Sequence, residues 1–506
     1  MTGPEWATLD RRTVAVTALI VAGGCAGAAV LAIYWITRVT SFDTALLWVL
    51  SAAVLIVAVS CVIDHVRWRR TRYRVTPERV ELHTGVFVSR RRSLHRDRVR
   101  TVDVTADPLL RVFGLVQVLV GTGEQSGSEG SVRLRPVTRQ VAEVLRRTLL
   151  DRATDVTTDG SLARLDPAWI RYAPLSFLTP VLGGGAFGVV LNVADWFGLQ
   201  DGVIGWAIAL FRGVPLVTTV VVLAAIALVI GVIGSLALFV EMWWSYRLDR
   251  EPGGTLRVRR GLLTTRSISL EERRLRGVEI VEPLGARLAG AARVDAVATG
   301  MVTPSEKDKT DHRTLLPAAP RAVADRVAAG VLREPDTPPT SISLTAHPVT
   351  ARSRRVRWAA GTAAVPLAVL AVLGLLLTEV LLHVAWIAAL VLVPAAVLLA
   401  LDAYRGLGHG LTPEYLVARS GTTRRATVAL QRSGIIGWTA KQSIFQRNAG
   451  LLTLSATTAA GAGAYSILDV GVSDGLLVAE RAVPDLLTPF LQVTRPHVAE
   501  GAPVGR

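Results

Sequence analysis

Six apolar stretches, each long enough to cross a bilayer and arriving in three pairs, leave this chain few folds to choose from. They occupy residues 13–36, 44–63, 173–194, 214–240, 358–378 and 383–401. A helix needs roughly 20 such residues to span the hydrocarbon. Continuous apolar runs of this length are expected to be helical, because a helix satisfies its own backbone polar groups where no water can. In the first and third pairs the connection is a few residues, so each pair must be an antiparallel hairpin. The middle pair has a longer link, residues 195–213, whose apolar 203–210 has room to lie in the interface or to dip into it.

Spanning helices cannot be the whole molecule. The chain of 506 residues is 51% hydrophobic with a mean hydropathy of +0.42, high for a soluble protein, yet 19% of it is charged. That balance implies membrane segments joined to sizeable water-facing domains. Arginine places them. "RWRRTR" (67–72) follows the second stretch, "RSRRVR" (352–357) precedes the fifth, and Arg11 and Arg12 precede the first. The opposite loops hold Arg38 and Arg212, balanced by Asp43, Asp195, Asp201 and Glu379. The positive-inside rule then puts both termini and every large polar region in the cytoplasm, under a bacterial inner membrane. Trp35, Trp68, Trp196, Trp206, Trp243, Trp244 and Trp358 suit interfacial belts. The opening "RRTVAVTALIVAGGC" loosely resembles a lipoprotein signal, but its apolar run continues past Cys25 to Ile36, so an uncleaved anchor is expected. Cys25 and Cys61 lie at different depths of their runs and make neither a disulfide pair nor a metal site.

After each hairpin the text changes to short alternations of apolar and polar residues punctuated by Gly and Pro, the pattern of half-buried strands. Three copies align on Gly85, Gly261 and Gly421. Nine residues later stand Leu94, Leu270 and Leu430, then Val99, Leu275 and Ile435. The first and third copies open on a shared phrase, "VTPERVELHTGVF" and "LTPEYLVARSGTT", whose Thr-Pro suits an extended entry and whose glycine suits a hairpin turn. The second, "YRLDREPGGTLRVRRGLL", lacks Thr-Pro. Copies one and two close on amphipathic helices, "TRQVAEVLRRTLLDR" and "PRAVADRVAAGVLR"; the third is expected to close within "VPDLLTPFLQV", where Pro489 breaks the pattern. The expected layout is hairpins at 13–66, 169–242 and 358–403, strand-rich modules at 68–152, 244–333 and 405–493, and a Pro/Thr/Arg-rich linker at 334–357.

With these phrases and this alternation of hairpin and module, the chain resembles the bacterial pleckstrin-homology-like membrane proteins of YdbT type. The resemblance implies an α+β membrane protein in which each hairpin is followed by a partly open β-barrel or sandwich capped by a C-terminal helix. It implies no established catalytic activity. It also implies a smaller membrane protein of the same family as a partner, and envelope-stress tolerance as a setting.

Motifs for chemistry are sparse. "GGGAFG" (183–188) satisfies G-x-G-x-x-G but lies inside an apolar run, without the strand and soluble helix a dinucleotide site requires. Its small residues, like Gly23, Gly24 and Gly27, suit close helix packing instead. Eight scattered histidines form no metal-ligand spacing, and His409 in "GLGHGL" reads as part of a turn. Catalytic, cofactor-binding and metal residues are therefore not expected. No charge sits in the helix interiors, where a transporter would keep one.

What remains is arginine. Arg90, Arg91, Arg92, Arg96, Arg98 and Arg100 crowd the first module, with Arg266, Arg273, Arg274 and Arg276 in the second and Arg424, Arg425 and Arg432 in the third. A GC-rich coding sequence would produce the same skew, which carries most of the net charge of +16. Held near an anionic leaflet, each such arginine contributes on the order of 1 kcal/mol. These residues are the candidates for contact with anionic phospholipid headgroups or an acidic protein partner. Nucleic acid is not expected, since no aromatic platform interleaves them. The resulting expectation is a non-enzymatic membrane scaffold, with homo-oligomers allowed; a transporter or channel subunit and a membrane enzyme are the alternatives.

Overall fold

The computed structural model describes residues 6–487 apart from 77, 86–88, 96–98, 100, 122–130, 151–159, 252, 301–312, 335 and 337. The chain forms two compact units, Met1–Pro338 and Pro339–Arg506.

In the first unit β1 (Ala7–Thr8) precedes the helices α1 (Arg12–Ile36) and α2 (Phe42–Arg70). Module one follows: β2 (Arg72–Val75), β3 (Arg79–Thr84), β4 (Arg90–His95), β5 (Thr101–Ala106), the one-turn helix α3 (Pro108–Val112), β6 (Leu115–Gly121), β7 (Ser131–Thr138) and the closing helix α4 (Arg139–Leu150). Then come β8 (Gly160–Arg164), α5 (Leu178–Trp196), α6 (Gln200–Leu210) and α7 (Leu216–Trp243). Module two repeats the plan with β9 (Arg247–Glu251), β10 (Thr255–Arg260), β11 (Thr265–Glu271), β12 (Leu275–Pro283), α8 (Leu284–Leu288), β13 (Ala291–Ala298), β14 (Thr314–Pro320) and α9 (Arg321–Leu332). The second unit holds α10 (Val349–Leu376), α11 (Glu379–Arg405), β15 (Gly408–Leu411), β16 (Tyr415–Ser420), β17 (Arg424–Gln431), β18 (Ile435–Lys441), α12 (Ile444–Asn448), β19 (Leu451–Thr458), β20 (Ala464–Gly471) and α13 (Val472–Ala482).

Among the described residues, α1, α2, α5, α7, α10 and α11 are long and apolar enough to cross a membrane. They turn Leu47, Val54, Leu228 and Leu390 outward, side chains that lipid covers at no cost. The link in the middle pair is helical, as α6.

Each module is two antiparallel three-strand layers sealed by its last helix. In module one Val116, Val118 and Val120 alternate inward along β6 and meet Val80 and Leu82 from the other layer, with Leu145 of α4 completing the core. The shared opening phrase has one local job in both copies. The Thr76 backbone N–H donates to the Arg79 carbonyl (2.8 Å) while its hydroxyl oxygen accepts from the Arg79 N–H (2.9 Å). Thr412 and Tyr415 repeat both bonds at 2.8 and 2.9 Å. The threonine thus locks the turn between the first two strands with its side chain. Module two, lacking it, turns there through Gly253 and Gly254 at φ 89° and 72°, which only glycine adopts easily. The anchor glycine closes the next hairpin: a Cβ on Gly261 or Gly421 would sit 2.0 or 2.1 Å from the carbonyl oxygen of Thr264 or Arg424.

A feature not read from the sequence recurs three times. Residues just before each hairpin pair antiparallel with residues just after it: Ala7 with Tyr73, Arg164 with Arg247, and Thr345 with His409. The pairing clasps the two ends of each hairpin together, so both must emerge on one face of the membrane. Modules one and two are also joined. β5 pairs antiparallel with β11, giving a seven-stranded sheet in the order β7-β6-β5-β11-β10-β9-β8. Across this junction Arg146 of α4 and Arg257 of β10, both buried, share Glu143 and Glu251 at 2.6–3.1 Å. Burial alone would raise the Glu143 carboxyl, but hydrogen bonds from Arg146 and Arg257 bring it down to about 2.

Several expectations need correction. Module three closes on α13, ahead of "VPDLLTPFLQV", burying Gly475, Ala479 and Ala482. Residues 488–493 of the expected 405–493 module lie outside the described residues. The stretch 334–357 is not all linker, because α10 begins at Val349 and carries "RSRRVR" within it. Hairpin two enters through a 3-10 segment, Pro167–Leu175, rather than directly as a spanning helix. Of the "GGGAFG" glycines only Gly183 allows close packing, a Cβ there falling 1.9 Å from the Ala227 carbonyl oxygen, with Gly231 of α7 matched against Thr179. A Cβ on Gly23, Gly24 or Gly27 would meet nothing beyond its own helix backbone within 4 Å among the described residues. His409 is not in a turn; it is a buried residue of β15.

Candidate functional site: a basic cleft at the root of the first hairpin

Where α2 leaves the membrane it runs with no spacer into β2, so Arg67, Arg69 and Arg72 crowd one join, and α1 brings Arg11 to the same place. Trp68 stands between them. Its indole N–H donates to the Leu9 carbonyl (2.7 Å), its ring lies 5.4 Å below the Arg11 guanidinium, and His65 packs on it at 5.6 Å. The tryptophan thereby ties the chain before α1 to the end of α2.

Two cavities flank it. The smaller, about 460 Å³, is lined by Thr8, Arg11, Val14, His65, Trp68, Arg69 and Arg72. Its lining holds no carboxylate, and among the described residues Arg69 and Arg72 have no acidic partner. The larger, about 960 Å³, lies between the helix roots and module one. Val16, Ile20, Leu109 and Leu110 supply its apolar wall, and Arg67, Arg92, Asp64 and Asp107 its polar one. Asp64 accepts a hydrogen bond from Thr17 across the hairpin. The carboxylate-free arginines of the smaller cleft fit an anion; guanidinium forks match phosphate oxygens in pairs.

The third root is built from similar parts to the opposite effect. Asp469, in β20 and almost fully buried, takes Arg354 at 2.5 Å, Arg355 at 3.0 Å and the Gln446 amide at 2.9 Å. Its backbone carbonyl meets His347 Nδ1 at 3.2 Å, and His347 Nε2 lies 3.0 Å from His409 Nδ1. Burial, then the neighbouring His409, push His347 down to about 4; burial lowers His409 as well. The strand registers set Leu134 opposite Val118 and Ile467 opposite Leu454, so two residues on, module one has Pro136 where module three has Asp469. Pro136 lines the larger cavity.

The candidate arginines are dispersed. Arg92 lines the larger cavity, and Arg91 is exposed, 3.6 Å from Glu81. Arg90 contributes its backbone to β4, and Arg96, Arg98 and Arg100 lie outside the described residues. Arg266 sits in β11 opposite Arg260 and Thr105, Arg273 is exposed 4.0 Å from Glu271, and Arg276 is half-buried in β12. Arg274 binds Glu271 (2.8 Å) and the Val99 carbonyl (2.9 Å), strapping module two to module one. Arg424 is exposed in β17, Arg425 pairs with Asp402 at 3.0 Å, and Arg432 donates to the carbonyls of Pro413, Arg481 and Ala482. Arg274, Arg425 and Arg432 are thus engaged inside the fold. The cleft residues Arg11, Arg69 and Arg72 were legible only as topology signals and His65 only as one of the scattered histidines; their flanking of Trp68 was the available clue.

Residues 16–153, 203–334 and 365–482, most of the chain, match the family described as bacterial PH domain. The protein belongs to this family. Each matched stretch takes in spanning-helix residues together with the module that follows, so the bacterial PH unit coincides with the repeat seen in the fold. The chain is also similar to the transmembrane protein YdbT of Bacillus subtilis (strain 168), 22% identical over 266 residues, 46% of this chain. The match spans about half, 51%, of that relative's length. No solved structure matches.

Proposed function

We propose that this protein is a non-enzymatic scaffold of the bacterial inner membrane. In this reading both termini and all three PH modules sit at the cytoplasmic leaflet, where the first module holds an anionic phospholipid headgroup and the others engage protein partners. One observation carries the reading: a cleft of Arg11, His65, Arg69 and Arg72 around Trp68, free of carboxylates, at the root of a spanning hairpin. The clasped hairpin ends support a common face for the modules of the first unit, and arginine at the roots favours the cytoplasmic one. Because the hairpins prepay the search for the surface, weak contacts at several modules add through effective concentration.

The test is lipid retention by the full chain in nanodiscs containing phosphatidylcholine and phosphatidylglycerol, read by native mass spectrometry. The wild type should keep phosphatidylglycerol preferentially. Arg11→Gln/Arg69→Gln/Arg72→Gln should lose most of that preference, each charge being worth on the order of 1 kcal/mol. Equal retention of the two lipids by the wild type would refute the proposal.

A further inference from the structure

The junction between modules one and two follows a rule that β4 of module one and β18 of module three leave unfinished among the described residues. β5, the first strand of one module's second layer, pairs with β11, the third strand of the next module's first layer. In the repeat, β18 is the counterpart of β5 and β4 is the counterpart of β11. Among the described residues β18 ends the sheet β18-β19-β20, and β4 ends the sheet β1-β2-β3-β4.

Pairing leaves a mark on exposure, and both end strands lack it. In the joined pair Val102 and Asp103 of β5 and Ser269 and Leu270 of β11 are buried. At the open ends Ser93, equivalent to Ser269, is exposed, and so are Thr439, Ala440 and Lys441 of β18. Ile436 is 64% exposed, and the Trp438 indole N–H is buried with no hydrogen-bond partner among the described residues. An edge strand of seven residues with no proline and a single charge is a template for another strand. β4 is a template of a different kind. Its Arg91 and Arg92 would repel their own copies in a β4–β4 pair, whereas β18 offers one cation, Lys441.

We infer that copies of this chain associate head to tail along the membrane, β18 of one copy pairing antiparallel with β4 of the next. The register used by β5 and β11 carries over: Val102 faces Ser269 and Val104 faces Ser267, so Trp438 faces Ser93 and Ala440 faces Arg91. The two surfaces differ, so the contact is heterologous and extends into a row or closes into a ring. Main-chain pairing supplies the affinity, as in other strand additions. The spanning hairpins hold every copy in one membrane plane.

Disulfide trapping tests this in native membranes that contain two differently tagged full-length chains. Both carry Cys25→Ser and Cys61→Ser; one adds Arg91→Cys and the other Ala440→Cys. Mild oxidation should give a product bearing both tags, and neither chain expressed alone should dimerise. Moving the second cysteine four residues, to Ile436→Cys, shifts it by about 13 Å along the strand and should cut the yield at least fivefold. Gel-filtration elution matching the wild type verifies that each variant is folded. The inference fails if no mixed product forms, if the offset pair crosslinks equally, or if only a chain carrying both cysteines reacts, within itself.

Discussion

The roots of the first and third hairpins are two versions of one joint, and they use arginine in opposite ways. At the third, Arg354 and Arg355 are spent on Asp469, and the joint is closed. At the first, Pro136 occupies the equivalent place, in the cavity of Arg67 and Arg92, while Arg11, Arg69 and Arg72 line the neighbouring cleft with no carboxylate among its lining residues. Positive charge beside a membrane therefore says little about binding until its counter-charge is located. A carboxylate in the adjoining strand turns a prospective site into a structural brace.

The sharpest way to break the contrast is to remove the brace. Asp469→Ala leaves two arginines without their partner and should cost about 3 kcal/mol or more, the usual penalty for half of a buried pair. Pro136→Ala should cost well under half as much. Thermal unfolding of both full-length variants in one detergent measures the difference.

Acid should separate the two units next. The folded values of His347 and His409 lie below the ordinary 6.5, so the unfolded chain takes up protons first. The His347 contribution is complete above 6.5 and is lost as pH falls toward about 4, and that of His409 is lost in the same direction. Glu143 is lowered as well, but from the carboxylate range: its contribution is complete above 4.5 and is lost as pH falls toward about 2. Hydrogen exchange between pH 7 and 5 should show loosening around β15 and β20 and none at the α4–β10 junction. Substituting His347→Gln and His409→Gln together should flatten the first response.

Giving the first root a brace of its own is the next largest change. Pro136→Asp places a carboxylate in the cavity beside Arg67 and Arg92, and it should lower phosphatidylglycerol retention severalfold, about 1 kcal/mol. Arg355→Gln should leave retention unchanged, because that charge is already neutralised. The smallest effect is expected from Trp68→Phe. It deletes one hydrogen bond, to Leu9, worth about 1 kcal/mol, and should be read as a small drop in melting temperature.

From sequence alone, the six spanning helices, the three hairpins and the triplicated strand module were already determined. These rest on local physics: bilayer length, period-two alternation, and turn residues that carry their meaning wherever they stand. Gly261 and Gly421 close the hairpin turns that their chemistry suggests in the text, whereas Thr76 and Thr412 lock a turn where an extended entry was expected. Tertiary structure alone decided which charges were free. Asp469 lies more than a hundred residues from Arg354, and Arg257 is similarly distant from Glu143, so no window of sequence pairs them. The clasp across each hairpin and the β5–β11 seam are likewise long-range, because backbone pairing carries no residue signature of its partner. Local patterns specify elements; only packing specifies which elements, and which charges, meet.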